Sequence, residues 1–248
     1  MRKNILITGA SSGLGRGMAR EFAAMGRNLA LCARRTDRLE ELKQELESKH
    51  PGIKVSVKAL DVLNYDQVFE VFKAFQQEFG TIDRIIVNAG MGKGQPLGTG
   101  YFWANRQTAE TNFVAALAQC EASMEIFRAQ NNGHLVMISS MSAMRGMPKN
   151  LTTYAATKAG VAALTEGLRA EMLGKPIKVT TIYPGYIRSE INEKVKNTPF
   201  MVDTETGCRL LAKAIEKEPD NAAVPRWPWA PLGFLMRTLP LKVVARMG

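Results

Sequence analysis

Cysteine and histidine are scarce in this chain. The three cysteines, Cys32, Cys120 and Cys208, are odd in number and scattered, without metal-ligand spacing. That sets aside a disulfide framework and a cysteine-bound metal, and reduced thiols suit a cytoplasmic protein. The two histidines, His50 and His134, lie far apart, so neither a histidine-centred triad nor a histidine-rich metal site is expected. No segment approaches the roughly 18–20 consecutive apolar residues of a membrane span. The apolar run Ile5 to Ile7, behind the basic Met1-Arg2-Lys3, is too short for a secretory signal and reads as an opening strand. No block of lysine and arginine is interleaved with aromatics, so nucleic acid is not an expected partner. Acid is in deficit: 23 Asp and Glu against 33 Lys and Arg, a net charge of +10. This excess fits a solvated basic surface, an anionic cofactor or substrate, or a membrane surface.

What is present is a regular alternation. Short apolar runs at residues 4–8, 28–33, 53–59, 82–87, 133–139, 177–183 and 222–225 read as strands buried on both faces of a parallel sheet. Amphipathic stretches near residues 13–26, 37–49, 64–79, 104–130, 152–174 and 204–217 read as helices between them. In the second, Asp37 followed by Glu40 has the spacing of a capping box, with Leu39, Leu42 and Leu46 on one face. Repeated β-α-β units predict right-handed crossovers and an α/β, Rossmann-type doubly wound, mostly parallel sheet with helices on both faces, in a single domain. The domain is expected to span residues 1–225, with residues 226–248 as a basic amphipathic tail.

The first strand runs into Thr8-Gly9-Ala10-Ser11-Ser12-Gly13-Leu14-Gly15, at the start of a helix. Glycines there let backbone N–H groups approach a pyrophosphate, and the helix N-terminus adds partial positive charge. The strand–turn–helix context favours dinucleotide binding over a plain tight turn. The second strand ends Cys32-Ala33-Arg34-Arg35. A carboxylate there would accept hydrogen bonds from the adenosine ribose and repel a 2′-phosphate; two guanidiniums suit the phosphate of NADPH or NADP+ instead. Cations at a helix N-terminus are unfavourable unless an anion joins them. Asp61-Val62 after the third strand and Asn88-Ala89-Gly90 after the fourth fit adenosine contacts, although both are also ordinary turn chemistry.

Tyr154 and Lys158 stand at i and i+4, on one helix face, the only such match among five tyrosines. A lysine cation beside a phenol is expected to lower the phenol pKa from about 10 toward neutrality, giving a general acid/base. The preceding strand ends Ile138-Ser139-Ser140, which puts a serine hydroxyl on the edge where open α/β sheets bind ligands. Asn112 sits in the helix before that strand.

In this order of motifs the sequence resembles the short-chain dehydrogenase/reductase family, in its compact branch of about 250 residues. The resemblance rests on Thr8-Gly9, Gly13-Leu14-Gly15, Asp61, Asn88-Ala89-Gly90, Asn112, Ser140, Tyr154, Lys158 and Pro184-Gly185, and runs to about residue 217. It implies that Tyr154 exchanges a proton with the substrate oxygen and that Ser140 holds and polarises that oxygen. Lys158 would bind the nicotinamide ribose and depress the Tyr154 pKa, and Asn112 would position a water in a relay to Lys158. The segment Pro184-Gly185-Tyr186-Ile187-Arg188-Ser189 would cover the nicotinamide, with Ile187 backbone and Ser189 near the carboxamide. Ser189 replaces the family's usual threonine. The Ser140–Tyr154 interval is one residue longer than usual, which leaves Ser142 one residue too close. Ser140 is preferred, because its strand and its spacing from Asn112 match, and the extra residue is assigned to the loop around Arg145–Asn150.

The substrate-covering segment is expected at residues 190–203, with Phe200 and Met201 and no arginine cluster for a carboxylate. This points to a lipophilic ketone, aldehyde or ketoacyl compound, or the corresponding alcohol. The tail carries Trp227, Trp229, Phe234, Leu235 and Met236 with Arg226, Arg237, Lys242 and Arg246, and no acid. It reads either as a segment packed on the body or a second subunit, helping to close the site, or as a peripheral contact with the inner membrane surface. The resemblance also implies a homodimer or homotetramer through the long helices near 104–130 and 152–174. A rival function is a non-catalytic NADPH-binding sensor or scaffold; the complete Asn112, Ser140, Tyr154 and Lys158 set argues against it.

Overall fold

Continuous apolar runs become seven strands in the computed structural model, which describes residues 1–92, 94–190, 192 and 198–245. They are β1 (Asn4–Thr8), β2 (Asn28–Ala33), β3 (Val55–Ala59), β4 (Arg84–Val87), β5 (Gly133–Ile138), β6 (Ile177–Pro184) and β7 (Asn221–Val224). The order is β3-β2-β1-β4-β5-β6-β7, and every pairing is parallel, so the sheet is wholly rather than mostly parallel. Chain order reverses between β1 and β4. Ligands bind at such a switch point, outside the carboxyl ends of the strands.

Helices cover both faces. α1 (Gly13–Ala24), α2 (Thr36–Lys49) and α7 (Thr204–Glu216) bury Met18, Phe22, Leu39, Leu42 and Leu211 against one face. α3 (Tyr65–Phe79), α5 (Ala115–Gln130) and α6 (Thr152–Glu171) bury Phe72, Phe75, Phe127 and Val161 against the other. Each such side chain contributes roughly 1.5–3 kcal/mol on leaving water. Asn64 and Asp203 cap α3 and α7 by accepting from Gln67 N at 3.2 Å and Thr206 N at 2.8 Å.

Two expectations change, at the start of α2 and along the long helix, while the tail takes the body-packed form. The capping box at Asp37 does not form: α2 starts earlier, at Thr36, with Arg35 at the cap position and no side-chain cap. Asp37 therefore sits inside the first turn, where its charge complements the helix dipole. The long helix at 104–130 divides into α4 (Phe102–Ala109), a π-turn at Glu110–Val114 and α5. Its central residue, Asn112, is tied to the backbone of Met91 through both ends of its amide, at 2.8 Å each. The tail folds back as α8 (Arg226–Thr238) and α9 (Leu241–Val244), burying Trp229, Gly233, Met236 and Val244. The remainder of the tail, 246–248, and residues 191 and 193–197 of the expected substrate segment lie outside the described residues.

The edge of the sheet opposite the switch point is closed by charge. Arg84, 1% exposed, bonds Glu216, Glu218 and His134 Nδ1, while Arg27 holds Glu216 and Arg2 holds Glu218. Burial, then the Arg84 charge, hold the His134 pKa well below its ordinary value. His134 is therefore a neutral structural partner that also meets Thr180 Oγ1 at 2.8 Å.

Candidate functional site

The carboxyl ends of the strands open onto a cavity of about 1180 Å³. Its floor is the turn between β1 and α1. Gly9 and Gly13 adopt φ of +66° and +52°, which side chains rarely tolerate. Gly15 does not line the cavity; a Cβ there would stand 2.4 Å from the Gly9 carbonyl oxygen, so this glycine lets the turn close on itself. Ser12 starts α1 without capping it through its side chain, and the first turn holds no acid. The N–H groups of this helix end thus remain open to an anion. Asn88 braces the turn: its side-chain N–H₂ donates to Thr8 O at 2.9 Å, and Thr8 Oγ1 accepts from the amides of Asn88 and Ala89 at 3.1 Å. Its amide is thereby committed to the protein, a role the sequence reading had not given it.

Cys32, Ala33, Arg34, Arg35, Leu60, Asp61, Val62, Asn88, Ala89 and Gly90 line the same cavity beside that turn. Arg34 is exposed, whereas Arg35 turns back over the glycine loop. Its guanidinium donates to Ser11 Oγ at 3.3 Å, Ser12 Oγ at 2.6 Å and Glu190 Oε2 at 3.1 Å. Arg38 donates to the other Glu190 oxygen at 2.8 Å. The Arg35 hydrogen bond is the largest of several effects that hold the Glu190 carboxyl down at about 2. Neither Arg38 nor Glu190 was singled out from sequence. Arg38 had a signal, standing three residues after Arg35 in one helical turn; Glu190 is distant in sequence and had none.

Ser140, Tyr154 and Lys158 meet in the same cavity, one at the end of β5 and two on α6. Ser140 sits beside the Tyr154 hydroxyl, close enough to draw its pKa down, and its own oxygen accepts from Ser142 N at 3.1 Å. Between Ser140 and Tyr154 the chain forms two short helical turns, Met141–Met144 and Lys149–Leu151, the second opening with Lys149 at φ +57°. Lys158 Nζ donates to Ile138 O at 2.9 Å and lies 5.9 Å from the Tyr154 ring centre. Burial lowers the Lys158 ammonium to about 8. The Tyr154 phenol is not depressed: burial raises it, the neighbouring Ser140 partly opposes that, and Tyr186 adds a smaller rise. The expected fall toward neutrality is thus corrected, because desolvation of a buried phenol disfavours its anion. Asn112 stands behind the cavity wall rather than in it, beside Gly90; a Cβ on Gly90 would lie 3.2 Å from Asn112 Oδ1 and 3.5 Å from Lys158 Nζ.

Pro184, Gly185, Ile187 and Ser189 line the far wall. Gly185 is required because a Cβ would enter the Trp229 indole at 2.2 Å. Ser189 comes close to the glycine loop, its Cβ 3.5 Å from where one on Gly13 would be. Of the two apolar residues expected in the substrate segment, Phe200 lines the cavity and Met201 does not. Trp229, Leu232 and Met236 of α8 complete an apolar end with Met141, Met147, Leu151 and Tyr186. Trp229 meets Tyr186 and Phe200 edge-on, at 5.6 and 6.2 Å between ring centres. Among the described residues no group of three or more His, Cys, Asp or Glu is placed to hold a metal.

The family model described as short chain dehydrogenase matches residues 3–199. The chain is 56% identical over 247 residues to an uncharacterised oxidoreductase of Mycobacterium tuberculosis, covering 100% of this chain and 98% of that protein. It resembles the alcohol dehydrogenase of the archaeon Thermococcus sibiricus, solved with 5-hydroxy-NADP, at 25% identity and TM-score 0.79, over 89% of this chain and 95% of that one. It likewise resembles the NADPH-dependent 3-quinuclidinone reductase of Rhodotorula rubra, at 25% identity and TM-score 0.78, over 87% and 84%. The chain belongs to the short-chain dehydrogenase family and is an oxidoreductase of that family.

Proposed function

We propose that this protein is an NADPH-dependent reductase of a lipophilic ketone, aldehyde or ketoacyl compound, reversibly an alcohol dehydrogenase. The observation that carries the reading is the meeting of Ser140, Tyr154 and Lys158 in one cavity with the glycine turn and Arg35. The turn fits a dinucleotide: Gly9 and Gly13 line the cavity in left-handed backbone, and the first turn of α1 offers uncapped N–H groups. Gly9, Ser11, Ser12, Gly13 and Leu14 would hold the pyrophosphate, with Gly15 keeping the turn tight. Arg34 and Arg35 would take the 2′-phosphate, and Asp61, Val62, Asn88, Ala89 and Gly90 would border the adenosine. Pro184, Gly185, Ile187 and Ser189 would border the nicotinamide.

The nicotinamide nucleotide, when bound, supplies or takes the hydride. Ser140 donates a hydrogen bond to the carbonyl oxygen and Tyr154 gives that oxygen its proton. Burial keeps the phenol protonated at neutral pH, the state a reduction needs. Lys158 holds the nicotinamide ribose and places positive charge beside the phenol. Asn112 fixes the Gly90–Met91 backbone next to Lys158 and orders a water there. The apolar end formed by Tyr186, Phe200, Trp229 and Met236 accepts the lipophilic part of the substrate.

A panel of ketones, aldehydes and ketoacyl esters, followed by nucleotide absorbance with NADPH and NADH in parallel, tests this directly. Turnover is expected with NADPH at a lower KM than with NADH, and Arg35→Ala is expected to raise the NADPH KM by about tenfold. No turnover on any carbonyl, or an indifferent Arg35→Ala, would count against the reading.

The proposal extends to the assembly. α5 and α6 form the contact of a homodimer or homotetramer, and the outer side of α8 makes a peripheral contact with an anionic membrane. Trp227, Phe234 and Leu235 are exposed there beside Arg226 and Arg237, and no helix of the described residues is long and apolar enough to cross a membrane. Aromatics and cations over an apolar face suit the interface. In flotation with vesicles rich in anionic lipid, the full chain is expected to float and a W227A/F234A variant to stay below; equal behaviour would rule the contact out.

A further inference from the structure

The anion site at the start of α2 is filled by the protein's own carboxylate. Arg35 and Arg38 each donate to one Glu190 oxygen, at 3.1 and 2.8 Å, and Arg35 also donates to Ser12 Oγ at 2.6 Å. The two guanidinium donors stand where a 2′-phosphate would be held if the NADPH reading is right, and the inference rests on that reading. We propose that Glu190 is an internal competitor for the 2′-phosphate, and that Arg38 is a further ligand of that phosphate once Glu190 is displaced.

Three observations carry this. Glu190 is anchored near the glycine turn by its neighbour: Ser189 stands over Gly13, and Ser189 N donates to Asn192 Oδ1 at 2.9 Å. Both Glu190 oxygens are committed, so a phosphate and this carboxylate would share the same donor hydrogens. The side chains of Arg35, Arg38 and Glu190 remain 41%, 40% and 51% exposed. Half-exposed pairs are weak and break readily. A phosphomonoester carries roughly −1.5 to −2 charge near neutrality against −1 for the carboxylate, so it wins the arginines.

The same geometry bears on NADH. Folds that select NAD place a carboxylate near the adenosine ribose, as an acceptor for its hydroxyls. Here the second strand ends in arginine, and Glu190 brings such a carboxylate to the same place from the segment after β6. Glu190 therefore narrows the preference between the two nucleotides: it obstructs the phosphate and serves the bare ribose.

Calorimetric titration of the full chain with NADPH and with NADH, at one ionic strength, tests this in the wild type and in E190Q, E190A, R38A and R35A. E190Q and E190A are expected to tighten NADPH by about threefold to tenfold and to leave NADH unchanged or weaker. R38A is expected to weaken NADPH by about threefold or more, with little effect on NADH. Unchanged or weaker NADPH binding in both Glu190 variants overturns the proposal. So does equal tightening of both nucleotides, which would report only the lost negative charge. R35A separates this from the parent reading: if R35A binds NADPH as the wild type does, the NADPH assignment itself fails. If R35A weakens NADPH while the Glu190 variants do nothing, only the competitor fails.

Discussion

A Tyr154→Phe variant is expected to reduce its carbonyl substrate about a thousand times more slowly than the wild type and to bind NADPH within about twofold of it. The ring remains, so the packing of α6 against the cavity is kept, and only the hydroxyl beside Ser140 is removed. The pH dependence has a sign. Burial raises the phenol above its ordinary value, so reduction has its proton available at neutral pH, whereas oxidation of the alcohol needs the phenolate and should accelerate as pH rises. Single-turnover rates in both directions between pH 6 and 10 check this. A variant that keeps a tenth or more of wild-type turnover would remove Tyr154 from the chemistry, and a variant that loses nucleotide binding altogether would make it a packing residue. A sensor without turnover would show no difference between the two proteins beyond binding.

Much of the fold was readable because it depends on local pattern. Runs such as Ile5-Leu6-Ile7 and Ile85-Ile86-Val87 are apolar on both sides, and only a sheet covered twice accommodates them. The glycine turn and the Tyr154–Lys158 pair were readable because their geometry is set within a few residues. What escaped depends on distant partners. The π-turn at Glu110–Val114 accompanies the bonds of Asn112 to Met91, far along the chain. The Arg84–His134–Glu216–Glu218 cluster draws on three elements, β4, β5 and the end of α7. The start of α2 was misplaced because Asp37 offers a good capping side chain, and nothing local tells that the helix starts one residue earlier. The raised Tyr154 phenol belongs to the same class. Spacing shows that a lysine is near, and only burial decides whether its charge prevails over desolvation.

That balance makes the second large effect a trade between activity and stability. Lys158 is 7% exposed, and burial lowers it from 10.5 to about 8. Its folded value lies below its unfolded one, so between those pH values the unfolded chain holds more protons and stability rises with pH. Below about pH 8 the folded protein keeps a desolvated charge, at a cost of roughly 3 kcal/mol for this interval. Lys158→Met removes the charge with little change of volume, but it also leaves Ile138 O without the donor now at 2.9 Å, a loss of roughly 1–3 kcal/mol. At pH 7 the variant is therefore expected to be as stable as the wild type or up to about 2 kcal/mol more stable. The same substitution is expected to lower turnover by about a thousandfold, because the positive charge beside Tyr154 is gone. Urea unfolding of both proteins at pH 7 and pH 10 isolates the lysine, since every other group titrates in common. The difference should move in favour of the wild type by about 2 kcal/mol at the higher pH. A constant difference across that range would mean that Lys158 keeps an ordinary pKa in the folded protein, and its charge would then have to be held by a partner other than solvent-free burial beside the phenol.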